Sequence, residues 1–112
     1  MHRGEIWLIN LDPTIGAEIK KSRPAVIVNV DEIGVLPLRV IVPITTWKDH
    51  YSQAPWLVQI SPTKQNGLDK PSAADTFQIR SLSTERFIRA IGKVDQKIFT
   101  AILDGVKVVI GV

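Results

Sequence analysis

The chain contains no cysteine. Disulfides, thiolate metal ligands and cysteine nucleophiles are therefore excluded, and an oxidising compartment is disfavoured. Long apolar runs are missing too. Glu5 and Asp12 interrupt the region where a secretory core must be continuous, and no later stretch has the length to cross a bilayer. The reading is of a cytoplasmic protein with no membrane association. No Walker loop, dinucleotide-binding glycine pattern, zinc-type histidine spacing or nucleophile elbow occurs, so the enzyme classes built on those motifs drop out. Charge of one sign is not concentrated either: 14 Lys and Arg against 11 Asp and Glu leave +3, a mild bias toward polyanions.

What is present fits one domain spanning residues 1–112, because a chain of 112 residues supplies a single core with no room for a separate catalytic module. At 45% hydrophobic and 22% charged residues, the composition is that of an ordinary globular protein. Residues Glu5 to Leu11 read as a first strand, broken by Asp12-Pro13. A long basic loop through Gly16, Glu18, Lys20, Lys21 and Arg23 follows, and the β-rich run Ala25 to Val30 returns as the second strand of a hairpin. Leu38 to Thr45 reads as a third strand, with Val42 and Ile44 on one face and Pro43 and Thr45 on the other; Pro43 predicts an edge or a bulge. Trp56 to Ile60, Phe77 to Arg80 and Phe87 to Val94 read as further strands.

From Asp95 the period changes. Ile98, Phe99, Ile102, Leu103 and Val106 have the spacing of an amphipathic helix, with Asp95 as its N-cap. Gly105 and the β-branched residues beyond it predict fraying before Val112. Short strands followed by one terminal helix give a β-dominated α+β fold, a compact antiparallel sheet or small barrel with the helix laid against it.

Residues able to carry chemistry are few. Arg23 stands before Pro24, whose ring holds the preceding residue extended and so launches the guanidinium from a stiff position. A planar guanidinium suits phosphate, although a surface arginine capping a strand is the plainer reading. Thr45 ends an apolar strand and can turn its hydroxyl into a cleft near the first hairpin; it can equally be only a good β-former.

Taken in order, Arg3-Gly4-Glu5-Ile6-Trp7, Leu11-Asp12-Pro13, Gly16, Glu18, Arg23-Pro24, the strand Ala25 to Val28, and Val42-Pro43-Ile44-Thr45 resemble the signature of the MazF/PemK toxins. The likeness continues through Gly67-Leu68, Gln78-Ile79-Arg80 and the stretch Arg86 to Gly92. It implies an SH3-like barrel of the CcdB/PemK type with a C-terminal helix, a homodimer, and a cognate antitoxin protein as partner. It also implies an endoribonuclease that needs no cofactor or metal and cuts single-stranded RNA to a 2′,3′-cyclic phosphate and a 5′-hydroxyl. The family's catalytic Arg and Thr fall on Arg23 and Thr45. Some relatives carry an Arg-x-Asp-Gln arrangement before the late strand. Here the run is Asp75-Thr76-Phe77-Gln78, which favours the Arg/Thr version of the site.

Cleavage to a cyclic phosphate uses the RNA's own 2′-hydroxyl, so the protein must orient the strand, move protons and oppose negative charge. Arg23 fits charge stabilisation, but an arginine that stays protonated is a poor base. Glu18 is the carboxylate offered by the same loop, and its ordinary reading is a solvated loop residue. Lys20, Lys21 and Arg80 are candidates to follow the RNA backbone, with Thr46 and Gln78 beside the motifs; Trp47 either stacks on a base or packs in a dimer core. A CcdB-like, non-enzymatic toxin acting on DNA gyrase is the alternative on the same barrel, and an interaction domain that has lost catalysis is a third.

Overall fold

Strands buried on one face alternate in polarity, whereas strands buried on both read as unbroken apolar runs. The run Ala25 to Val28 is of the second kind. In the computed structural model, which describes residues 1–112, all four of its side chains are buried. Strand β1 (Glu5–Asn10) pairs antiparallel with β2 (Ser22–Ile27), setting Ile6 opposite Val26 and Ile9 opposite Arg23. Strand β2 thus begins three residues before Ala25, and Arg23-Pro24 belongs to the strand rather than to the loop.

Five further strands complete one antiparallel sheet: β3 (Leu38–Thr46), β4 (Leu57–Ile60), β5 (Ser72–Asp75), β6 (Arg80–Ser83) and β7 (Phe87–Lys93). Their order is β4-β5-β3-β2-β1-β7, with β6 joined to the first half of β3. Strand β3 changes partner midway, its Ile41 opposing Arg80 of β6 and its Ile44 opposing Ala74 of β5. Pro43 falls in the gap. Val28 N–H donates to the Val40 carbonyl, so Val40 and Val42 turn their backbone groups toward β2 and Pro43 turns its own toward the gap. A proline there costs no ladder hydrogen bond, which is how it occupies a central strand and not an edge.

The predicted strand over Phe77 to Arg80 is not formed. Asp75 accepts a hydrogen bond from the Phe77 N–H and caps a 3-10 turn at Thr76–Gln78, and the strand begins only at Arg80. Strand β5 had no apolar alternation to announce it. Ser72-Ala73-Ala74 is wholly buried between β3 and β4, where small side chains allow close packing.

Helix α1 (Gln96–Ile110) starts as expected, with the Asp95 carboxylate accepting the Ile98 N–H. It runs on through Val108 without fraying. Gly111 closes it at φ 75°, ψ 30°, the left-handed C-terminal position that glycine occupies most readily. Gly105 is not a weak point. A Cβ there would lie 2.8 Å from the Thr76 hydroxyl, so the glycine lets the helix dock against the 3-10 turn. Phe99 and Ile102 of α1 bury against Ile6, Val26, Val42, Ile44 and Ile60 on one face of the sheet. Ile9, Leu11, Ala25, Ile27 and Ile41 form a second cluster on the other face. No helix is long and apolar enough to cross a membrane.

The outermost strands β4 and β7 share no ladder, so the curved sheet is open between them. The loop after β4 bridges that opening: Lys93 N–H donates to the Gln65 carbonyl, and a Cβ on Gly92 would lie 2.4 Å from that same oxygen.

Candidate active site

The β2–β3 register pairs Ala25 with Pro43 and Val26 with Val42. Continued by two residues, it sets Arg23 opposite Thr45, and both line one cavity of about 280 Å³. The cavity is built where five strands and one loop meet. Leu8 of β1 and Ile44 of β3 give it an apolar floor; Ser22, Thr46 and Ser72 add hydroxyls; the loop of residues 67–70 and Arg89 of β7 form the opposite wall.

Arg23 is half-buried, and its only hydrogen bond runs from Nε to the Lys20 carbonyl at 3.4 Å. Both Nη groups are left without a protein partner. This is the state of a guanidinium prepared for an external anion. Lys70 and Arg89 also face the cavity, and neither pairs with a carboxylate. Three unpaired cations and several hydroxyls on one concave surface make a site for phosphate.

Arg89 and the 67–70 loop were not found from sequence. Plain alternation would place Phe87, Arg89 and Ile91 on one face. Register shifts against β1 separate them, so that Phe87 opposes Ile9 in the second cluster while Arg89 opposes Leu8 and enters the cavity. The loop is held by Asn66, which is 4% exposed. Its Oδ1 accepts the N–H groups of Thr63 and Leu68, and its Nδ2 donates to the Ser61 carbonyl. Gly67, at φ 69°, presses against Ile91; a Cβ would sit 2.4 Å from the Ile91 carbonyl oxygen, which gives Gly67-Leu68 a structural reason.

The remaining sequence candidates lie elsewhere. Glu18 is exposed on the β1–β2 loop; its carboxylate accepts the Ile15 N–H at 2.6 Å, and it lines a separate depression with Phe77, Gln78 and Arg80. Gln78 and Arg80 tie that loop down. Gln78 Oε1 accepts the Ile19 N–H at 2.6 Å, its Nε2 donates to the Ala17 carbonyl, and Arg80 Nη2 donates to the Ile19 carbonyl. Lys20 and Lys21 are exposed at the end of the loop beside Arg23. Lys21 takes a left-handed φ of 68°, with its N–H bonded to the Asp12 carboxylate. Thr46 lies in the cavity wall. Trp47 is outside it, packed edge-on against Tyr51 with ring centroids 5.8 Å apart.

Two carboxylates are shifted from their ordinary range. Burial pushes Asp75 up, and this outweighs its hydrogen bonds from Phe77 and Gln78 and the nearby charge of Arg80. Glu5 is also partly desolvated, but hydrogen bonds from Trp7 and the His2 backbone, with the N-terminal ammonium, hold it below the usual value. Neither residue lines the cavity.

Comparison with known proteins identifies the family and the fold. Residues 2–110 match the family model of the PemK-like, MazF-like toxins of type II toxin–antitoxin systems. The chain is 39% identical over 100 residues to endoribonuclease MazF9 of Mycobacterium tuberculosis, covering 84% of this chain and 82% of that one. It is 29% identical to endoribonuclease MazF of Staphylococcus saprophyticus, covering 99% and 92%. Among solved structures, MazF of Deinococcus radiodurans superposes with a TM-score of 0.82 at 20% identity, covering all of this chain and 97% of that one. An endoribonuclease from a mycobacterial species, solved with its cognate antitoxin, gives 0.78 at 17% identity over 100% and 96% of the two chains. With a family match across nearly its whole length, a close curated relative and the same fold, the chain belongs to the PemK-like, MazF-like toxins of type II toxin–antitoxin systems.

Proposed function

We propose that this toxin is an endoribonuclease that cuts single-stranded RNA, mRNA included, without a metal ion, leaving a 2′,3′-cyclic phosphate and a 5′-hydroxyl and so arresting translation. The observation that carries the reading is the register-opposed pair Arg23 and Thr45 in a concave, cation-lined cavity, with the outer nitrogens of Arg23 unpartnered. Relatives named as endoribonucleases support it.

In this reading the scissile phosphate sits between the two residues. Arg23 opposes the charge that grows on the non-bridging oxygens, and the Thr45 hydroxyl donates to one of them. Thr46 lines the same wall, Lys20 and Lys21 follow the RNA backbone, and Trp47, next in sequence and outside the cavity, stacks on a base of the bound strand. Gln78 and Arg80 act through the loop whose backbone they hold. Glu18 stays at the loop's outer depression, available to a flanking nucleotide. The protein works in the cytoplasm as a homodimer and is silenced by a cognate antitoxin; the mycobacterial endoribonuclease was solved in complex with its own.

The test is cleavage of a long single-stranded RNA by the purified protein in EDTA. Arg23→Ala is expected to abolish cutting while its circular dichroism and melting remain those of the parent. Full activity in that variant overturns the assignment. Gyrase-trapped DNA breaks with intact RNA transfer the chain to the non-enzymatic toxin reading.

A further inference from the structure

We infer that Asp69 is the general base of the reaction, taking the proton from the attacking 2′-hydroxyl. The inference rests on the ribonuclease reading above and supplies the group that reading lacks. Cyclic-phosphate formation cannot proceed from a neutral 2′-hydroxyl at useful speed unless something accepts its proton. Arg23 is disqualified by its basicity, Thr45 and Thr46 are hydroxyls, and the other charged residues of the cavity, Lys70 and Arg89, are cations.

Asp69 is the one carboxylate in the cavity wall. Glu18, the carboxylate that the sequence offered, is absent from that wall, as is Asp75, and each carboxylate is occupied by a backbone N–H of its own turn. Asp69 makes no hydrogen bond and no ion pair with the protein, so both of its oxygens are free to accept.

Its mounting is stiff on both sides. Leu68 N–H is held by buried Asn66, and Ser72 is 3% exposed with its hydroxyl bonded to the Lys70 carbonyl. A base must be kept within hydrogen-bond reach of the proton that it removes, and a short segment anchored at each end by buried polar residues serves that need.

The step balances as follows. Asp69 Oδ takes the 2′-hydroxyl proton as O2′ forms its bond to phosphorus. The P–O5′ bond breaks, and the departing 5′-oxygen takes a proton from water. The hydroxide left behind then removes the proton from Asp69. Arg23 and Thr45 hold the non-bridging oxygens throughout.

Three measurements on the intact protein test the inference: single-turnover cleavage of a short RNA, its pH profile, and affinity for the same RNA with 2′-deoxyribose at the cut site. Removing a general base costs about 100-fold or more in rate. Asp69→Asn is therefore expected to slow cleavage at least about 100-fold while binding the deoxy-substituted RNA within about threefold of the parent. The parent's acidic limb should vanish from the residual rate, and Asp69→Glu should restore part of the activity. Parent-like cleavage by Asp69→Asn overturns the inference and leaves the ribonuclease reading standing. Equal loss of binding and cleavage also overturns it, making Asp69 an RNA-positioning residue. A parent protein that cuts no RNA defeats the underlying reading instead.

Discussion

At the scale of single residues, the molecule spends little on charge pairing and much on placing polar groups against backbone. Asp75 illustrates this. Its carboxylate holds the Phe77 N–H and the Gln78 amide while sitting in a partly desolvated corner, and burial raises its pKa above the ordinary carboxylate value. The folded state therefore binds this proton more tightly than the unfolded chain does. By linkage, its contribution to stability is fullest below the unfolded pKa and declines as pH rises through the folded one. Denaturant unfolding across the acidic range should show this downward component in the parent but not in Asp75→Asn. An identical pH dependence in the two proteins would refute it. Arg23 and Thr45 were legible in the sequence because motif order singled them out. Asp69, Lys70 and Arg89 were not, because a polar residue in a loop or on an exposed strand gives no periodic signal, and the bulges that re-aim Arg89 depend on a partner strand distant in sequence.

At the scale of elements, the apolar strands β1 to β3 and the capped helix followed directly from period and capping chemistry. Those that escaped were governed by tertiary context. Ala73 and Ala74 form a strand because two neighbours bury them, and Phe77 leaves one because Asp75 closes a turn. The crossing of the Asn66 loop over β7 is the tightest junction between elements. A methyl group at Gly92 would meet the Gln65 carbonyl oxygen at 2.4 Å and that of Asn66 at 2.6 Å, both backbone atoms unable to step aside alone. Gly92→Ala is thus expected to lower stability by about 1–3 kcal/mol, the usual scale of overpacking. Because the displaced loop carries Leu68 to Lys70 into the cavity, cleavage measured well below the melting temperature should fall as well. Unchanged cleavage in a destabilised variant would show that the loop's position does not matter to the site.

At the scale of the whole molecule, the only ion pairs join the N-terminal ammonium to Glu5 and His2 to Asp31, so all 14 Lys and Arg side chains lack a carboxylate partner. Folding and RNA binding should consequently respond to salt in different ways. Three cations face the cavity, and single-stranded RNA releases about 0.7 counterion for each phosphate neutralised, so log affinity against log salt should fall with a slope of about −2 or steeper. The denaturation midpoint should hardly move over the same range, since few attractive pairs exist to be screened. Anisotropy titrations with uncleavable RNA and parallel unfolding curves would measure both; a flat binding response would remove phosphate neutralisation as the basis of recognition.

The opening between β4 and β7 has a meaning beyond architecture. The loop that bridges it also brings Leu68 to Lys70 to the cavity, whose lining includes Leu8 of β1 and Arg89 and Ile91 of β7. An RNA strand lying there would grip the loop and β7 at once and act as a strut across a seam that no strand ladder closes. Substrate would then complete the barrel mechanically while it is being cut, and each product released would hand the seam back to the loop alone.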